Sequence, residues 1–435
     1  MSVTAHPRRS RRKPWRQALV LLCLAALPPV SQAAEPELTL QHAVELALAG
    51  NPGLAEIKAR AQALAAVPPQ AGAMPDPTFN VDLLNVPTRS FSLRQEDMTM
   101  LEFGVSQTIP FPGKRDLQRK IAEEEALAAA DSVEEARLRL VREVKDGWWR
   151  LFFYDRALNV TQESEQFFQQ LVDTAQAQYR VGQGQQQDVQ LAQLELSKLK
   201  DERLELIGMR HAATAQFNVL LDRPPSTLVV LPASAEFAQM ALQESNLLEK
   251  AQEIRPLLAQ RRKMLDAAKT RVDLAQKDFY PDVTVGASYA VRQDTPTGQS
   301  RSDFASIRLS VNLPIYAGDK QSKAVDQRQS EYLQEQYAFE DEHHRVQAEI
   351  TAKTAEYLHA KERLSLYEHE IIPQARQTVR SLMAGYPVGK ADFTDLLKAQ
   401  LTLFQYQTQY WQSLTRTQQI LAEVAAATGL EVAHD

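Results

Sequence analysis

The sequence predicts a mainly α-helical protein that also carries a transmembrane β-barrel part. Three observations predict it. One domain-sized unit is written twice, each unit contains very long stretches almost free of Pro and Gly, and each unit contains two segments that alternate apolar and polar residues. Composition narrows the field further. The 435 residues are 44% hydrophobic, enough for a sizeable core, and carry a formal charge of −6. A mean hydropathy of −0.37 excludes a polytopic helical membrane protein. It leaves open a β-barrel, whose strands are only half apolar. The single cysteine excludes a disulfide framework or a thiolate cluster.

The first 33 residues read as an export leader. Arg8, Arg9, Arg11, Arg12, Lys13 and Arg16 form a basic start, Ala18 to Leu27 is a short apolar run, and Ser31-Gln32-Ala33 supplies small residues for cleavage. About ten apolar residues are too few to span a bilayer as a helix, which needs about 20. Cys23 leaves with this leader, and Leu22 before it argues against a lipoprotein site. Six bases and no acid leave too, so the exported chain is more acidic still. That acidity argues against nucleic-acid binding.

The remainder divides into repeats at 34–239 and 240–435, joined by the Pro-rich stretch Arg223 to Pro232. Asn51-Pro52 reappears as Arg255-Pro256, Pro75-Asp76 as Pro281-Asp282, and Phe103 to Pro110 as Ile307 to Pro314. Tyr179-Arg-Val-Gly182 reappears as Tyr386-Pro-Val-Gly389, followed in both copies by an Asp and an Ala-Gln pair. A period near 200 residues is duplication of a domain, too long for a solenoid repeat. Each unit starts with a helix (about Leu40–Val67 and Leu242–Lys277), continues through two strands, and ends in two long helices that reverse at the Val-Gly block. Asp116 to Tyr179 has no Pro and one Gly, and as one helix is roughly 96 Å long. Its counterpart, Asp319 to Met383, is interrupted by Pro373. After each reversal, Val189, Ala192, Leu196, Leu199, Arg203 and Leu206, and Leu396, Ala399, Leu403, Tyr406 and Tyr410, form a 3-4 seam. Small residues off the seam, at Ala126 and Ala128 to Ala130, permit a second packing face, and two faces per helix permit a closed coiled-coil ring.

The strands fall near 78–86, 101–109, 283–291 and 305–313. In each, one face is apolar (for example Val283, Val285, Ala287, Tyr289 and Val291) and the other polar or small. About nine residues cross a bilayer when tilted. A sheet lying on a soluble core is the alternative. Against it stand Asp82, Glu102 and Arg308 in mid-strand on the polar face, and the long polar loops Pro87–Asp97 and Arg292–Asp303. Those three charged residues fit a wet barrel lumen. Tyr289 and Phe103 fit the lipid side or its interface. Four strands cannot close around a pore, and lipid does not tolerate an open edge, so the chain must oligomerise. Three copies of four strands give 12.

These residues carry a family resemblance. The duplicated plan, the strands after Pro-Asp, the tract Gln107-Thr-Ile-Pro-Phe-Pro-Gly-Lys-Arg115 and the Tyr-x-Val-Gly blocks resemble the TolC-like outer membrane efflux proteins, over about Leu38 to Gly429. The Phe-Pro-Gly-Lys form is most similar to members serving heavy-metal RND pumps, the CzcC-like branch. The resemblance implies a homotrimer in outer-membrane lipid, a 12-stranded β-barrel and a long α-helical barrel reaching into the periplasm. It further implies partners, a periplasmic adaptor (membrane fusion protein) and an inner-membrane RND-type transporter, with the chain acting as their passive exit channel for metal cations or drugs.

Carried onto this chain, the resemblance makes Val181, Gly182, Val388 and Gly389 the tips that meet the adaptor. Their alternative role is helix termination, since Gly accepts a positive φ. It makes Asp188 and Asp395 the pore constriction, where a ring of carboxylates concentrates cations; helix capping is the alternative. Lys398 and Ala391 depart from the family pattern, at a second acidic position and at an Arg that locks the closed tip in some members. No catalytic, cofactor or metal site is expected. His343 and His344 are adjacent and diverge by about 100° on a helix, His359 and His369 are poorly spaced, and Met98 and Met100 sit at a loop end. No phosphate loop, HExxH or GxSxG motif is present, so an enzyme is not expected. A type I protein-secretion duct and a periplasmic coiled-coil scaffold or adaptor are the competing functions.

Overall fold

A computed structural model describes residues 37–238 and 240–430. The expected leader, residues 1–33, lies outside the described residues. Residue by residue, the chain runs through α1 (Leu40–Gly50), α2 (Pro52–Ala65), α3 (Val67–Ala71), β1 (Thr78–Leu84), β2 (Met100–Ile109), α4 (Lys114–Arg180) and α5 (Gln186–Leu220). The second half repeats the order with α6 (Glu244–Ile254), α7 (Pro256–Lys277), β3 (Val283–Val291), β4 (Phe304–Val311), α8 (Gln321–Leu366), a π turn (Tyr367–Ile371), α9 (Ile372–Gly385), a 3₁₀ turn (Tyr386–Val388) and α10 (Phe393–Thr428).

One expectation needs correction. The single opening helix of each repeat is broken, at Asn51 in the first and at Arg255 in the second. Both residues precede a proline, and both are extended, with ψ of 118° and 119°. The proline ring disfavours the α region for the residue before it, and its missing N–H suits the first position of a new helix. Asn51 then caps α2, its side-chain oxygen accepting from the Leu54 N–H at 3.0 Å. Two strand ends also fall short: β1 stops at Leu84 and β4 at Val311, leaving Leu313 outside the strand.

The unbroken stretch is realised as α4, 67 residues and about 100 Å long. Its partners differ along its length. Near its middle, Trp148, Trp149 and Phe152 pack with α1, the end of α5 and the inter-repeat linker. Toward its C-terminal end, Phe168, Leu171, Val172 and Ala175 meet Ala192, Leu196 and Leu199 of α5 and Phe393, Leu396 and Phe404 of α10. The α5 seam is thus buried at Ala192, Leu196 and Leu199 and half-buried at Val189 and Leu206, while Arg203 leaves the seam to pair with Glu165 at 2.9 Å. Ala128 and Ala129 are buried as well, the small second face expected of α4.

The four strands form one antiparallel sheet in the order β1-β2-β3-β4. Apolar residues line up across it, as in Val81–Phe103–Tyr289–Ala305. No helix packs broadly on either face of this sheet among the described residues. Phe79, Val81, Ile307 and Leu309 are 65%, 55%, 88% and 68% exposed, which is incompatible with a sheet folded over a soluble core. No described helix is long and apolar enough to cross a membrane.

Candidate functional site: paired helix tips and a bare sheet

At the end opposite the sheet, α4 turns into α5 and α9 into α10 through the same hydrogen-bonded motif. Gly182 has φ 74° and Gly389 φ 69°. The Gly182 N–H donates to the Tyr179 carbonyl at 3.1 Å, and Gln183 N–H to the Gln178 carbonyl at 2.9 Å. In the second repeat the Gly389 N–H donates to Tyr386 at 3.1 Å, and Lys390 N–H to Gly385 at 2.9 Å. These are paired Schellman closures at equivalent residues, so the Gly positions do end helices. They also leave a surface. Val181 and Val388 are 68% and 67% exposed, and a Cβ on either glycine meets nothing within 4 Å. The Gln178 Nε2 donates to the Pro387 carbonyl at 3.1 Å, which holds the two tips side by side.

Asp188 and Asp395 both occupy the third position of the following helix. Their surroundings differ. Asp395 is exposed, and the cap of α10 is Asp392, whose Oδ1 accepts from the Thr394 N–H at 2.7 Å. Asp188 is half-buried, and burial is the main force pushing its carboxyl pKa up; the negative Asp392 pushes the same way, and a bond from the Gln185 N–H opposes both. Beside them Tyr386 packs its ring on Phe393, with centroids 5.5 Å apart. Its hydroxyl is buried without a hydrogen-bond partner in the single chain, and burial followed by the charges of Asp188 and Asp392 raises its pKa. Sequence reasoning missed Tyr386 and Asp392 as site residues. Asp392 had a readable signal, an Asp directly before the apolar start of a helix. Tyr386 served only to mark the repeat.

In the sheet, Asp82 and Glu102 stand directly opposite each other on adjacent strands. Arg308 is not with them; it faces Gly286. No ion pair joins any of the three to another described residue. At the loop end of the sheet, Arg292 and Arg301 of one loop reach the other, Arg292 donating to the Asp97 carbonyl at 3.1 Å and Arg301 pairing with the Asp97 carboxylate. Met98 is exposed while Met100 is buried, so the two sulfurs do not share a site. Among the described residues no group of three or more His, Cys, Asp or Glu is placed to hold a metal ion.

The profile of the family described as outer membrane efflux protein matches residues 43–221 and again 247–430. The chain is 28% identical over 190 residues to the cobalt-zinc-cadmium resistance protein CzcC of Cupriavidus metallidurans, and 25% identical over 185 residues to the outer membrane protein TolC of Vibrio cholerae. Each match spans 42% of the relative's length, and 42% and 41% of this chain respectively. The crystal structure of the outer membrane protein VceC from Vibrio cholerae superposes with a TM-score of 0.76 at 20% identity, covering 91% of this chain and 97% of that one.

Proposed function

The chain belongs to the outer membrane efflux protein family, and on that premise we propose that it is the outer-membrane exit channel of a tripartite efflux system. Three copies close a 12-stranded barrel in the outer membrane and a long helical barrel beneath it. The observation that carries this reading is the bare sheet. Its apolar face lies open, its charged face lies open, and its outer strands β1 and β4 each have one unpaired edge. Lipid outside, water inside and a neighbouring copy at each edge satisfy all three at once. A scaffold or adaptor has no use for such a sheet.

The channel performs no chemistry; work is done by the periplasmic adaptor and the inner-membrane RND-type transporter that it serves. The exposed tips around Val181–Gly182 and Val388–Gly389 are the adaptor-contacting surface. Asp395, exposed one turn beyond its tip, and Asp188 form the acidic narrowing, and Asp82, Glu102 and Arg308 line the barrel lumen. A carboxylate ring at a narrow point favours cations. That preference, with the likeness to a cobalt-zinc-cadmium resistance protein, supports divalent metal cations as cargo.

Membrane fractionation tests the core of this reading. The exported protein is expected in the outer membrane as trimers that survive SDS without heating; a soluble monomer overturns it. Single-channel recording tests the narrowing. Asp395→Ala is expected to lower cation over anion preference several-fold, and unchanged selectivity removes Asp395 from that role.

A further inference from the structure

The duplication can be checked against the sheet, and it then specifies the seam between copies. Phe103 to Pro110 aligns with Ile307 to Pro314, and Pro75-Asp76 with Pro281-Asp282. Applied to the pairs between β1 and β2, these alignments turn Thr78–Ser106 into Thr284–Ser310, and Asp82–Glu102 into Ser288–Ser306. Both are observed pairs of β3 with β4. The repeats are therefore equivalent in register, residue for residue.

The same alignments applied to β2 and β3 describe a contact that a single chain cannot make. The pair Gly104–Ser288 becomes Arg308 opposite Asp82 of the partner subunit. Phe103–Tyr289 becomes Ile307 opposite Leu83 of the partner subunit, and Val105–Ala287 becomes Leu309 opposite Val81 of the partner subunit. We propose that β4 of one copy pairs with β1 of the next in this register, with Arg308 and Asp82 of the partner subunit forming an ion pair across each seam of the barrel lumen. This rests on the homotrimer proposed above and goes beyond it by naming the register and the charges that set it.

Two independent features support the pairing. A slip of one residue sets lumen-facing Arg308 against an apolar residue of the lipid face, which the two-residue period forbids. Only shifts by two remain, which set Arg308 against Asn80, Asp82 or Leu84 of the partner subunit, and Asp82 alone carries a charge. Within one chain, moreover, Asp82 faces only the like charge of Glu102, an unfavourable cross-strand pair. Arg308 faces Gly286, which has no side chain to compete for the guanidinium. Joining the two edges places a cation beside the carboxylate pair. The internal counterpart also shows the spacing: a Cβ on Gly104 lies 3.4 Å from the Ser288 Cβ, close to disulfide range.

Cysteine pairs in the full-length protein test this, because Cys23 of the leader is the only native cysteine. Trimers are first read on unheated gels, independently of any cross-link. Arg308→Cys with Asp82→Cys is expected to give oxidant-dependent covalent oligomers on heated gels, about tenfold more than Arg308→Cys with Asn80→Cys or with Leu84→Cys, because a disulfide tolerates little displacement. Trimers that cross-link at one of the shifted pairs instead overturn the register and leave the homotrimer standing; absence of trimers overturns both. Charge is tested separately. Arg308→Asp is expected to lower the temperature at which the trimer dissociates, and adding Asp82→Arg to restore it; no recovery in the double variant overturns the ion pair.

Discussion

The two repeats share their turns and differ in their arms. The arm leading to the first tip is one helix, α4, uninterrupted from Lys114 to Arg180. The arm leading to the second is α8, a π turn and α9. Pro373 explains the break. It offers no N–H to the preceding turn, and its ring collides with the carbonyl four residues back, so the helix widens before it. The Ile372 N–H then reaches back five residues to the Tyr367 carbonyl. The widened turn is fastened from its side: the Tyr367 hydroxyl accepts from Arg363 at 3.0 Å and donates to Gln409 of α10 at 2.9 Å. Duplication thus preserved what a turn requires and let the stiffness of the lever behind it diverge.

The hinge at the head of each repeat shows the same pattern in different chemistry. In the first, the Asn51 Nδ2 donates to the Leu220 carbonyl at the end of α5, at 3.1 Å. In the second, Arg255 donates to the Ala427 carbonyl at the end of α10, at 2.9 Å, and also pairs with Glu349 at 3.3 Å. One position ties the opening helix to the closing helix in both halves. The first does it with a neutral amide, the second with a buried charge.

The sharpest way to break the comparison is at the tips. Gly182→Leu and Gly389→Leu are each expected to abolish export while trimers still form. Asn tolerates a positive φ, so Gly182→Asn and Gly389→Asn separate the two roles of these glycines. Lost export in the Asn variants, measured as metal or drug accumulation, marks a contact surface; normal export leaves only helix closure. A smaller effect is expected at the hinges, and an unequal one. Arg255 also lies 3.9 Å from the buried Glu135 carboxylate, so Arg255→Ala leaves Glu349 and Glu135 without their buried cation and is expected to cost about 3–5 kcal/mol. Asn51→Ala removes a cap and a single bond and is expected to cost about 1 kcal/mol. Thermal denaturation of both variants checks this, and equal losses refute the asymmetry.

The smallest effect is the pH response of the tip. The Asp188 carboxyl is raised in the folded protein, so the folded state binds its proton more tightly than the unfolded one. Acidification through the window between the unfolded carboxylate value, about 3.9, and the raised folded value therefore favours the folded tip, and this contribution is lost as pH rises above it. Asp188→Asn is expected to flatten that dependence, followed by proteolysis of the tips across pH.

Much of this molecule is legible in its residues because the responsible forces act locally or repeat. Strand alternation, the reversals at Val-Gly and the duplication each follow from short-range rules, and the register of β1 with β2 maps onto that of β3 with β4 without adjustment. Seam burial at Leu196, Leu199 and Leu396 follows from spacing alone. The breaks at Asn51 and Arg255 were also local, and the prolines announced them. Other features depend on what the chain brings together from far apart. The two acids Asp188 and Asp392 lie about 200 residues apart in sequence and share one environment with Tyr386 because α4, α5 and α10 pack in one apolar cluster beneath the tips, with Gln178 bonded to the Pro387 carbonyl across them. Which aspartate is half-buried and which is exposed is decided by that packing, since burial sets the cost of a charge and no window of sequence contains both tips.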